Sequence, residues 1–191
     1  MVDDRAPVAL IIPGTDGHPG ENWFPWLVQV LEGKGYEVHL PALPTDPHHS
    51  LENWFAAFDL QCEPPTAYDL CVTHSLGTSF ALRLVESRRA SLHALISVAG
   101  CIDRVGIERY DALNASFLVA PFQWELLRSR IPQRVVLFSE DDPFISIPHS
   151  KLLAQGLGVP AVSLGSVGHV NAAAGFRSLA ALLPFLPDSQ E

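Results

Sequence analysis

Six short apolar runs recur along the chain: Val8 to Ile12, Tyr36 to Leu40, Leu70 to Thr73, Ala94 to Val98, Val135 to Ser139 and Ala161 to Leu164. Most are apolar throughout instead of alternating with polar residues. That is the pattern of strands covered on both faces, as in a parallel sheet whose crossover connections lay helices over each side. Between them, Trp23 to Leu31, Leu51 to Leu60, Ser75 to Ser87, Pro121 to Arg128, Pro148 to Gln155 and Ala172 to Leu183 are compatible with helices. Gly33 and Gly35 precede the second run, Pro148 opens a helix, and Gly156 with Gly158 closes it. The alternation predicts an α/β architecture with a mostly parallel six-stranded sheet and helices on both faces. At 191 residues the chain suits one domain, 1–191. The prolines of Pro41 to Pro47 and the pair Pro64-Pro65 mark loops too short to link domains. Cys101 to Ala120, between the fourth and fifth strands, is the least regular stretch. About 20 residues there make a loop or a short helix, so little or no lid is expected.

Composition narrows the possible partners. Hydrophobic residues make up 48% and charged residues 17%, as in a compact globule. Twelve basic against 21 acidic side chains leave a formal charge of −9 without a basic block, which argues against nucleic acid and anionic membranes as partners. The acidic start MVDDR is unlike a secretory signal, and no apolar stretch approaches the roughly 18 residues of a membrane span, so a cytoplasmic location is expected. Cys62, Cys71 and Cys101 are odd in number and lack CxxC spacing, which predicts buried thiols and neither a disulfide framework nor a zinc site. Asn114-Ala115-Ser116 matches a glycosylation sequon but is discounted, because no export signal accompanies it.

The segment most informative about chemistry is Thr73-His74-Ser75-Leu76-Gly77, which joins an apolar run to a helix-compatible stretch. A serine hydroxyl needs a positioned base before it can attack a carbonyl. At a sharp strand-to-helix turn, Ser75 would expose Oγ, and the Leu76 N–H and the helix amino terminus would face a developing oxyanion. The competing reading of Ser75 is a helix cap. His169 follows the last strand and is the candidate base, whereas His18, His39, His48, His49, His74, His93 and His149 read as structural or surface residues. Glu140, Asp141 and Asp142 compete to orient it; Asp142 is favoured because Pro143 restricts its backbone, with a turn or cap role as its alternative. The order Ser75, Asp142, His169 separates this arrangement from triads that run differently along the chain. Pro13-Gly14-Thr15 follows the first strand and offers the Thr15 N–H as a second oxyanion donor. Gly14, Trp124, Phe144 and Val170 are candidates to line an acyl pocket, while Trp23 reads as core. Dinucleotide and P-loop motifs are absent and His48-His49 lacks a third ligand, so neither cofactor nor metal is expected.

These segments together resemble the small serine-hydrolase family of retinoblastoma-binding protein 9. The likeness rests on Pro13-Gly14, Trp23 and Trp26, His74-Ser75 with Gly77, Ser97-Val98, Pro121-Phe122-Gln123-Trp124-Glu125, Asp141-Asp142-Pro143-Phe144 and Gly168-His169. It implies a minimal α/β-hydrolase whose nucleophile, acid and base fall on Ser75, Asp142 and His169. It also implies esterase-like action on a small acyl substrate, with thioesterase or aminopeptidase-like chemistry left open. Thr73 departs from the family pattern, which commonly has glycine there. The alternative from another class is a catalytically weak protein-binding module on the same fold, with a partner the sequence does not name.

Overall fold

The computed structural model describes residues 5–62 and 66–187. The expected Pro64-Pro65 loop and the acidic start, residues 1–4, lie outside the described residues. The elements run β1 (Val8–Ile12), α1 (Phe24–Gly33), β2 (Glu37–His39), α2 (Leu51–Cys62), β3 (Thr66–His74), α3 (Gly77–Glu86), β4 (Ala90–Val98), α4 (Glu108–Leu113), α5 (Trp124–Arg130), β5 (Gln133–Phe138), α6 (Ile147–Leu157) and β6 (Ala161–Ser163). Short 3-10 turns occupy Ala115–Phe117, Ala172–Ala174 and Ala180–Phe185.

The strands form one sheet in the order β2-β1-β3-β4-β5-β6, and every pairing is parallel. Alternation of side chains along a strand sends successive residues to opposite faces. Leu10 and Ile12 of β1 therefore join Trp54 and Phe58 of α2, Phe80 and Leu84 of α3, Leu127 of α5 and Leu153 of α6 in one cluster. Ala9 and Ile11 face Phe24, Leu27 and Leu31 of α1 together with Leu179, Leu182 and Leu186 in the other. This is why β1 reads as a continuous apolar run. In α2 the buried residues Trp54, Phe58 and Cys62 recur every four positions, the stripe that one helix face presents to a sheet.

The end of the chain departs from expectation. Ala172 to Leu183 reads as one helix but folds as two 3-10 turns, the second containing Pro184, which cannot donate a backbone hydrogen bond. Gly175, at φ 91°, ends the first turn in a left-handed conformation that suits glycine. Leu179, Leu182 and Leu186 still cover the sheet, so burial is preserved without a regular helix. Cys62, Cys71 and Cys101 are free and buried. Among the described residues no helix is long and apolar enough to cross a membrane.

Candidate active site

β1 connects to β2 on one side while β3 lies on its other side, so the loops leaving the carboxyl ends of β1 and β3 part and open a crevice. A pocket of about 220 Å³ occupies it, with Gly14, Thr15, Ser75, Phe144 and His169 in its lining.

Ser75 takes φ 51°, in the left-handed region that is uncommon for a side chain other than glycine. Neighbouring backbone fixes it there: Ser75 N donates to Val98 O at 3.1 Å, and Ser75 O accepts from Cys101 N at 2.9 Å and Thr78 N at 3.1 Å. Two glycines provide the space. A Cβ on Gly14 would lie 2.8 Å from Ser75 Cβ, and one on Gly77 would lie 2.5 Å from the carbonyl oxygens of both Ile12 and Pro13. The start of α3 is thereby packed against the end of β1. Leu76, not Ser75, sits at the cap of α3, and among the described residues no hydrogen bond from Ser75 Oγ caps the helix, so the helix-cap reading lacks its defining contact.

Thr73 occupies its position because the neighbouring helix satisfies its hydroxyl. Buried at the end of β3, Thr73 Oγ1 lies 2.8 Å from Thr78 Oγ1, which lies 2.8 Å from Ser97 Oγ. Gly100 closes over this chain; a Cβ there would stand 2.2 Å from Ser97 Oγ. The extra polar atom is thus paired inside the core, as a buried hydroxyl requires.

The three acidic residues after β5 separate by what each one holds. Asp142 is 1% exposed at its side chain, and its Oδ2 lies 2.8 Å from His169 Nδ1. Its Oδ1 accepts from Phe144 N at 2.8 Å and Ile145 N at 3.0 Å, so the turn reading also describes this residue. Asp141 Oδ1 instead accepts from Gly168 N at 2.7 Å and Ser139 Oγ at 2.8 Å, bonds that hold its carboxyl below the ordinary range. Glu140 accepts from Ser163 Oγ.

The loop carrying His169 is gripped at three consecutive residues. Asp141 takes the Gly168 N–H, His74 Nε2 donates to His169 O at 2.8 Å, and Trp23 Nε1 donates to Val170 O at 2.8 Å. Gly168 at φ 61° and Val170 at φ 51° make the sharp turn that these bonds hold. Phe144 meets the His169 ring edge-on with centroids 4.8 Å apart. Burial pushes the His74 imidazole down to about 3, with the neighbouring His169 charge acting in the same direction. Among the described residues no hydrogen bond joins Ser75 Oγ to His169; such contacts often tighten only in the complex with substrate. The Thr15 and Leu76 N–H groups likewise have no internal acceptor among the described residues.

Of the residues named for an acyl pocket, Gly14 and Phe144 border this one, whereas Trp124 and Val170 do not. Trp124 covers Gly156 of α6, where a Cβ would lie 2.7 Å from the indole, because a large ring fills the space that glycine leaves. Val170 is fully buried in the core under the histidine loop. Sequence reasoning missed Val105, Tyr110 and Asn114, which reach the pocket from the irregular segment around α4. The only sequence signal of Asn114 was the sequon; the structure shows it 5% exposed and accepting from Thr15 Oγ1 at 2.9 Å.

Residues 9–187 match the serine hydrolase family. The chain belongs to the serine hydrolase family. This serine hydrolase is 27% identical over 167 residues to serine hydrolase RBBP9 of Rattus norvegicus, spanning 84% of this chain and 86% of the rat protein. It is similar in structure to the ydeN gene product of B. subtilis, with TM-score 0.83, 25% identity, and coverage of 94% of this chain and 96% of that one. Est1E from Butyrivibrio proteoclasticus shares the fold alone, at TM-score 0.64 and 12% identity over 88% of this chain and 82% of that one. With its parallel sheet and flanking helices, the serine hydrolase has the α/β-hydrolase architecture.

Proposed function

We propose that this serine hydrolase cleaves small carboxylic esters, or related acyl bonds, through Ser75, His169 and Asp142. The observation that carries this reading is the 2.8 Å bond from His169 Nδ1 to the buried Asp142 carboxylate, beside a pocket that His169 shares with Ser75. A carboxylate on Nδ1 keeps the proton there and leaves Nε2 as the base. In the first step Ser75 Oγ bonds to the acyl carbon while His169 Nε2 takes the hydroxyl proton. The carbonyl oxygen gathers negative charge beside the Thr15 and Leu76 N–H groups, each such donor contributing about 3 kcal/mol. Collapse breaks the bond to the leaving group, which departs with the proton from His169. Water then attacks the acyl-enzyme with His169 again as base, releasing the acid and restoring Ser75.

Pocket size supports a small acyl group. About 220 Å³ lies below the roughly 300 Å³ at which pockets for drug-sized ligands begin. Esters, thioesters and amides share this machinery, and turnover of a panel of all three ranks them. Replacement of Ser75 by alanine is expected to abolish both fluorophosphonate labelling and hydrolysis of p-nitrophenyl acetate. Retained activity would reject Ser75 as nucleophile; a folded wild-type protein that takes no label would favour the binding-module alternative.

A further inference from the structure

The geometry points to His74 as a positioning residue that braces the catalytic base, its Nε2–H holding the His169 carbonyl so that the imidazole stays in the pocket it shares with Ser75. This inference rests on the proposed roles of Ser75 and His169. The strand supplies the physical link. At the end of β3 the side chain of Thr73 meets α3, whereas His74, on the opposite face, is packed edge-on by Trp23 and Phe24 of the α1 region with centroids 6.1 Å away in each case. His74 is 4% exposed, so its bond to His169 O at 2.8 Å is shielded from competing water. Its ring lies 4.7 Å from the His169 ring, centroid to centroid. Because His74 directly precedes Ser75, one strand end carries both the nucleophile and the support for the distant loop bearing the base.

The residue type follows from charge. A carbonyl oxygen accepts only a hydrogen-bond donor, so the proton of a neutral His74 sits on Nε2. The charged groups facing it are His169 and, farther off, the Asp142 carboxylate. During turnover His169 becomes a cation. A lysine or arginine at position 74 would oppose that charge at close range in a dry environment. A buried imidazole donates the same bond without carrying charge, since burial keeps it neutral through the working pH range.

His74→Phe keeps a ring in the aromatic cage but removes the donor, and His74→Gln returns an N–H near the position of Nε2. With p-nitrophenyl acetate, His74→Phe is expected to lower kcat at least tenfold with KM within twofold, and to slow fluorophosphonate labelling of Ser75 in parallel. His74→Gln is expected to recover most of the loss. Unchanged kcat in a folded His74→Phe protein would overturn the inference, as would a loss that His74→Gln leaves unrepaired. A measurement on the unaltered chain stands apart from folding of the variants. The ¹⁵N shifts of His74 should report a neutral Nε2–H tautomer from pH 5 to 9; an Nδ1–H tautomer or titration within that window would overturn the brace. Absence of labelling in the unaltered chain would count against the Ser75 reading, and the tautomer measurement would still decide the hydrogen bond.

Discussion

Asp142 uses its two oxygens for different tasks: one ties down a turn through the Phe144 and Ile145 N–H groups, and the other meets His169 Nδ1. Asparagine at this position keeps an acceptor for the turn but presents an amide N–H to the imidazole, which reverses the favoured tautomer. Asp142→Asn is therefore expected to fold normally and to lose on the order of 10⁴ in kcat on p-nitrophenyl acetate, with thermal melting checking the fold. A loss below tenfold would separate Asp142 from the chemistry. Asp141, one residue away, holds the Gly168 N–H instead. Two adjacent carboxylates thus do different work, one holding the backbone of the histidine loop and the other the imidazole itself.

At the scale of elements, the close contact between α3 and β1 constrains the position of Ser75. Alanine in place of a helical glycine ordinarily adds about 1 kcal/mol of stability. At Gly77 the added Cβ would meet two carbonyl oxygens at 2.5 Å, neither belonging to a side chain that can rotate away. Gly77→Ala should therefore destabilise by about 1–3 kcal/mol and lower Ser75 labelling, as read by urea unfolding and probe kinetics; a gain in stability would refute the close approach. Such backbone proximity is invisible in a sequence. What could be read there was the sheet, because strands covered on both faces must be apolar along their length, and β1 begins and ends where expected. The placement of Ser75, Asp142 and His169 on loops after β3, β5 and β6 was legible for the same reason, since in a parallel sheet all such loops share one edge. The α4 wall was not, because Val105, Tyr110 and Asn114 sit in a stretch without periodicity and are brought to the pocket only by tertiary contacts. The irregular end of the chain is equally hidden, since leucine spacing reports burial but does not require regular hydrogen bonding.

Across the whole molecule, buried imidazoles couple folding to pH. His49, His74 and His149 all resist protonation in the folded state, chiefly because burial penalises the cation. In the unfolded chain they take up protons near pH 6.5. Below that point the unfolded chain binds more protons than the folded one, so their contribution is fully present above about pH 6.5 and diminishes as pH falls, for His74 down to about 3. The melting temperature is expected to drop between pH 7 and pH 5, and His74→Phe to flatten that drop. A steeper decline in the variant would contradict this linkage.

Two fastenings join the loop after β1 to the α4 region: Thr15 Oγ1 to Asn114 Oδ1 at 2.9 Å, and the Asp16 carboxylate to Arg109 at 3.6 Å. From the same α4, Tyr110 leans edge-on against Phe144 across the pocket, with centroids 5.4 Å apart. The α4 wall of the pocket is thus tied on one side to the loop after β1 and on the other to Phe144. If the pocket takes the acyl group as proposed, cutting either tie should widen the range of acyl groups turned over, as rates across an ester series would read.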